Sequence, residues 1–114
     1  MDKLPELLIN VGVPKITANV FAFLLNGEPR TSRQIERSVD IRQPEASIAL
    51  KNLHGFVSVS ERASTEKGRP NKVYQMSKKQ GAAYLKRIAD EKQKEIDAVA
   101  ANLEEIREMI EGDN

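Results

Sequence analysis

The stretch from Thr31 to Val57, TSRQIERSVDIRQPEASIALKNLHGFV, constrains the fold more than any other part of the chain. Two short helical patterns flank one tight polar turn, and a strand-like run follows. Thr31 and Gln34 stand at capping-box spacing, where each side chain can bond the other residue's backbone. This predicts a helix starting at Thr31, with Ile35 and Val39 one turn apart on its inner side. Asp40 occupies the turn, and Ile41 plugs the angle between the two helices. Pro44 opens the next helix, with Gln43 or Arg42 as its cap, because a missing N–H does no harm in a first turn. Ala46, Leu50 and Leu53 give this helix a thin buried seam, and the small Ala46 lets the two helices approach closely. Gly55 ends it.

The flanking segments carry helical and strand patterns of their own. Leu4, Leu7, Leu8 and Val11 predict a short helix over 3–11, ended by Gly12. A second runs from about Pro14 to Asn26, with Ala18, Phe21, Leu24 and Leu25 as its inner stripe, Val20 beside it, and Asn26-Gly27 as its stop. Phe56 to Ser60 alternates with period two, as a strand does. Residues 62–71 are polar and Val73 to Met76 form the return strand, which makes a long hairpin. Ser77 and Gln80 are a second capping-box pair, and the helix they open reaches to about Glu111. At 1.5 Å per residue such a helix is about 50 Å long. Along it Leu85, Ile88, Lys92, Ile96, Val99, Leu103, Ile106 and Ile110 recur close to a heptad, interrupted by Lys92. A helix folding back on its own domain is the competing reading. Self-association is favoured because the stripe outlasts the domain it would cover. The expected fold class is therefore mainly α with a small β-wing. Residues 1–77 form the globular part, and 78–114 form a C-terminal dimerisation helix with coiled-coil character.

A chain of 114 residues suits one domain with one modest core. It has no cysteine, which removes disulfides, thiolate catalysis and cysteine metal sites, and suits a cytoplasmic protein. No apolar run is long enough to cross a membrane, and the N-terminus lacks the layout of a secretion signal. The net charge of +1 conceals a polarity. Residues 31–80 hold ten basic and five acidic side chains, whereas residues 81–114 hold five basic and nine acidic. The basic surplus coincides with the paired helices and the hairpin, and a basic segment draws polyanions.

The pattern T-S-x-x-I-x-x-x-V-x-I-x-Q-P-x-A-S-x-x-L-x-x-L resembles the helix-turn-helix of MarR- and TrmB-type winged-helix regulators, and most of all small archaeal members of that superfamily. The run G-R-P-x-x-x-Y at 68–74 resembles their wing, and residues 7–25 resemble the two leading helices of the TrmB type. Pro14 and Thr17 stand where the family often has a capping serine and an acidic residue. No large sugar-binding domain is present, so TrmB-type sugar sensing does not carry over. The resemblance implies a winged helix-turn-helix, with the C-terminal helix in the place of a dimerisation helix. It implies sequence-specific binding to double-stranded DNA as a homodimer that regulates transcription.

On the fourth helix Gln43, Pro44, Glu45, Ser47, Ile48, Lys51 and Asn52 form the candidate recognition surface, since the first residues of such a helix sit deepest in the major groove. Gln43 can pair with adenine, Glu45 can accept from cytosine, and Ser47 can reach a base edge or a phosphate. Ile48 either meets a thymine methyl or flanks the core. Lys51 suits a phosphate. Thr31, Ser32 and Arg33 open the preceding helix, where a phosphate is favoured, and Arg42 in the turn can clamp the backbone. In the wing, Lys67, Gly68, Arg69, Asn71 and Lys72 form a basic tip, from which Arg69 can enter a minor groove. Leu85, Ile88, Ile96, Val99, Leu103, Ile106 and Ile110 are the dimerisation residues. Basic residues lie early in the long helix and acidic ones late, which suits antiparallel pairing, but the orientation stays open.

Two other functions compete with this one. A winged helix used for protein contacts in a larger complex is disfavoured by the 4% aromatic content, which leaves little anchor material. Catalysis is disfavoured because His54, the one histidine, has no partner constellation and no phosphate-cradling glycine loop occurs. Neither a cofactor nor a metal is expected. The operator, the regulated genes, the sign of regulation and any small-molecule effector are not written in the sequence.

Overall fold

Backbone chemistry at the helix ends sets most of the architecture. The computed structural model describes residues 3–62 and 71–112. Helix α1, Lys3–Asn10, closes on Gly12. The Gly12 N–H donates to the Ile9 carbonyl and the Val13 N–H to the Leu8 carbonyl, the paired bonds of a Schellman end. Those bonds require a left-handed residue, and Gly12 has φ +100°. Only Leu8 of the expected apolar stripe is fully covered, while Leu7 and Val11 are exposed. Helix α2, Lys15–Leu24, starts after Pro14 with no side-chain cap bond. Its buried face is Thr17, Ala18, Val20, Phe21 and Leu24. Val20 is thus central rather than flanking, and Leu25 is only half-buried.

A strand not anticipated from the sequence follows. β1, Arg30–Thr31, is two residues long, too short to leave a periodic trace. It pairs antiparallel with β3, Asn71–Gln75, which pairs antiparallel with β2, Ser58–Arg62, in the order β1-β3-β2. Val59 lies opposite Tyr74, Ser60 opposite Val73 and Glu61 opposite Lys72. β2 begins later than the apolar run at Phe56 suggests, and all its residues are exposed. Its alternation is real, but the sheet face that enters the core is the one carrying Val73, not the one carrying Val59.

Helices α3, Ser32–Val39, and α4, Gln43–Asn52, pack on α2 and on each other. The interior gathers Val20, Phe21, Leu24, Ile35, Leu53 and Met76, all without exposed surface. Each such side chain contributes about 1.5–3 kcal/mol relative to leaving it in water. In α4 the seam is Ala46 and Ala49 with Leu53 behind them, whereas Leu50 is half-buried. Two alanines on one face let α4 lie close to α2.

Helix α5 spans Lys78–Glu111. Ser77 and Gln80 form the expected box: the Ser77 N–H donates to Gln80 Oε1 (2.8 Å) and the Gln80 N–H to Ser77 Oγ (3.1 Å). The chain divides into two compact units between Ala83 and Tyr84. The opening turns of α5 belong to the first unit because Gly81 is buried in it. A Cβ at Gly81 would lie 2.6 Å from Leu25 Cδ1 and 3.4 Å from Phe21 Cζ. Gln80 also donates its amide to Ser58 Oγ (2.9 Å).

The second unit is the remainder of α5. Its polar faces are laced by Arg87–Glu91, Lys92–Glu95 and Arg107–Glu111 pairs. Arg107 also bonds Glu104, which holds that carboxyl below its ordinary range. Ile96, Val99, Leu103, Ile106 and Ile110 are all at least half exposed, and Met109 joins them. Ile88 is half-buried and Leu85 is exposed. No helix among the described residues is long and apolar enough to cross a membrane.

Candidate nucleic-acid interface

The paired helices at the centre of the site owe their geometry to three local devices. Thr31 caps α3: its Oγ1 accepts from the Gln34 N–H (3.2 Å), and Gln34 Oε1 accepts from the Thr31 N–H (2.9 Å). Asp40 then ends α3 in the left-handed region with φ +58°, and the Ile41 N–H donates to the Glu36 carbonyl (2.9 Å). A left-handed aspartate is tolerated because its side chain is short and polar. Arg42 follows in extended backbone and caps α4, its N–H donating to Glu45 Oε1 (3.0 Å). Pro44 sits in the first turn, as its missing N–H allows.

This arrangement sorts the candidate recognition residues. Gln43, Pro44, Ser47, Ile48 and Lys51 are exposed on the outer face of α4. Ile48 is 61% exposed, which settles it as an outward residue rather than a flank of the core. Glu45 and Asn52 behave differently. Glu45 is half-buried, with its carboxylate holding the Arg42 N–H, so it closes the turn instead of presenting a free acceptor. Asn52 donates its amide to Thr17 Oγ1 (3.0 Å) and ties α4 to α2. That bond also accounts for a buried threonine on α2, where an unpaired hydroxyl would be costly.

A groove of about 290 Å³ runs between α4 and the sheet. Gln43, Ser47, Leu50, Lys51 and His54 line one side, Val59, Lys72 and Tyr74 the other, and Ser32 closes one end. Gln43, Ser47 and Lys51 step by four along α4 and share one helix face. That spacing does not reach His54, which lies in the turn past the last helical residue, Asn52, and the faces of Val59 and Tyr74 depend on strand register. The lining offers an amide, three hydroxyls, an imidazole and two ammonium groups, a set suited to phosphate oxygens and base edges. Glu61, opposite Lys72 in register, is the acidic residue of that sheet face.

The backbone-contact candidates are less uniform. Arg33 and Arg42 are exposed. Ser32 donates its hydroxyl to Glu36 Oε2 (3.0 Å), and both polar groups of Thr31 serve the capping box. Helix closure therefore engages those two residues, whereas the Arg33 and Arg42 guanidinium groups have no such part in it. In the wing, Lys72 shares the groove-side face with Tyr74, while Asn71 lies on the opposite face beside Arg62. Lys67, Gly68 and Arg69 lie outside the described residues. No group of three or more His, Asp or Glu side chains able to hold a metal ion occurs among the described residues.

Three or more helices, a helix-turn-helix, and a hairpin set beside the second helix of that pair define a winged helix-turn-helix. Solved structures share it. A possible transcriptional regulator from Methanosarcina mazei Go1 aligns with TM-score 0.64 and 19% identity, over 87% of this chain and 83% of that one. The disulfide-formed structure of AbfR aligns with TM-score 0.50 and 20% identity, over 93% and 77%. At such identity the likeness establishes the fold. No protein-family model and no curated protein matches the chain.

Proposed function

We propose that the protein is a transcriptional regulator that binds double-stranded DNA sequence-specifically as a homodimer. The observation that carries the reading is the uncovered outer face of α4. Gln43, Ser47 and Lys51 stand there in one row, and His54 and Lys72 line the same groove. In this reading α4 enters the major groove, with Gln43 and Ser47 at base edges and Ile48 against a thymine methyl. Lys51, Lys72, Arg33 and Arg42 hold phosphates. Arg69 of the wing enters the adjacent minor groove. The helix α5 joins two copies through its apolar stripe, which sets the two recognition helices in major grooves about 34 Å apart.

The similar Methanosarcina protein, described as a possible transcriptional regulator, supports the same reading. AbfR is described in a disulfide-formed state, and this chain, which has no cysteine, offers no counterpart to it. The test is selection of bound duplexes from a random pool. Enrichment of a two-fold symmetric site is the expected result. Absence of binding to any duplex, together with retention of a protein partner, would replace this reading with a protein-docking winged helix.

A further inference from the structure

We infer that His54 holds a DNA backbone phosphate together with Lys51 and Lys72, and that it does so as the imidazolium, so that binding a duplex takes up a proton. This rests on the duplex binding proposed above and adds a pH dependence to the same site. The turn that ends α4 sets the position of His54. Leu53 before it is fully buried, the His54 N–H donates to the Lys51 carbonyl (3.1 Å), and Gly55 after it has φ +89°. The imidazole is exposed and lines the groove between α4 and the sheet. Helix α4 carries the chain about 14 Å from Gln43 to Asn52. The major groove is about 12 Å wide, so with Gln43 at a base edge His54 lies beside the flanking phosphates instead of the bases.

The groove supplies cations and lacks an anion. Around the imidazole stand Lys51 on α4, Lys72 and Tyr74 on β3, Glu61 farther along the same face of β2, and Glu36 on α3 behind Ser32. Glu36 accepts from the Ser32 hydroxyl, and no carboxylate lines the groove among the described residues. The side chains of Lys51, His54 and Lys72 make no hydrogen bond or ion pair among those residues. A backbone phosphate is the anion that is missing, and it stays charged throughout the neutral range. An anion beside an imidazole favours the charged form and receives a charge-assisted hydrogen bond from it. A group protonated more readily in the complex than in the free protein strengthens binding at low pH, and that contribution is lost as pH rises. Histidine is the side chain that changes charge between about pH 5 and pH 8.

Phosphate contacts do not depend on base sequence, so a mixed-sequence duplex at low salt serves as the probe. The chain has one histidine, so its imidazole resonance needs no assignment. Followed by NMR, His54 should keep its proton to higher pH with the duplex bound than without it. A titration that the bound duplex leaves unmoved would overturn the inference. Affinity at fixed salt should fall about fivefold per copy between about pH 6 and pH 8. His54→Gln keeps a hydrogen-bond donor without the titrating charge, and should bind equally at both ends of that range, at the weaker level. His54→Lys is charged throughout and should hold the stronger level at both. Equal pH dependence in the parent chain and in His54→Gln would assign the proton to another group, overturning the inference while DNA binding stands. Failure to bind any duplex at either pH would overturn the DNA-binding reading itself, and this inference with it.

Discussion

Two neighbours on α4 show how much one helical step decides. Lys51 points into the groove, and Asn52 turns back to bond Thr17. Their substitutions should therefore separate cleanly. Lys51→Ala should leave the melting temperature unchanged, weaken binding to all duplexes, and flatten the salt dependence by roughly one unit. Asn52→Ala leaves the Thr17 hydroxyl buried without its donor and should lower stability by about 1–3 kcal/mol in denaturant unfolding. An Asn52→Ala variant of full stability but altered base preference would return that residue to the recognition surface. Gln43→Ala should relax preference at one base pair by about 1–3 kcal/mol and spare the others. Uniform weakening across a panel of sites would contradict base readout by Gln43. Exposure on α4 was legible from sequence, as for Gln43, Ser47 and Lys51. The hydrogen bonds of Glu45 and Asn52 were not, because a polar side chain on an outer arc can still be drawn to a nearby backbone or hydroxyl. No periodicity records that choice.

At the level of elements, the turn between α3 and α4 concentrates the strain. Asp40 is the non-glycine residue with positive φ among those described. Asp40→Gly should keep or raise stability by up to about 1 kcal/mol, because glycine adopts this backbone without a Cβ clash. Asp40→Val should lower it by about 1–3 kcal/mol, since a β-branched residue in that region is strained. Thermal unfolding of the two variants checks the sign, and equal effects would show that the turn does not depend on its backbone angle. The helices were legible because caps and breakers announce themselves: Thr31 with Gln34, Ser77 with Gln80, and glycine after α1. The sheet was legible only in part. Its central strand was anticipated, but the two residues of β1 carry no alternation, and β2 is exposed throughout, so its pattern could not reveal which face met the core.

For the whole molecule, the decisive question is what covers the stripe on α5. Leu103→Asp places a carboxylate in the middle of that stripe and should convert the proposed homodimer to a monomer in analytical ultracentrifugation. Affinity for a two-fold symmetric site should then fall by a factor of ten or more, while affinity for a single half-site stays as it was. A dimer that survives Leu103→Asp would place the interface elsewhere. The capping box at Ser77 marks where a helix begins and not where a core stops. Gly81 carries the information that the core continues, since a helix interior tolerates glycine poorly unless something lies close against it.

The outermost strand of the sheet has one more consequence. β2 borders the three-stranded sheet, and its far side leaves backbone donors and acceptors without a strand beside them among the described residues. Its sequence, Ser-Val-Ser-Glu-Arg, is short, charged at one end and hydroxylated in between. Such a rim is a poor template for strand addition by another chain. The chain can thus carry an open border without becoming a seed for fibrillar aggregation, so long as those hydroxyls and charges are kept.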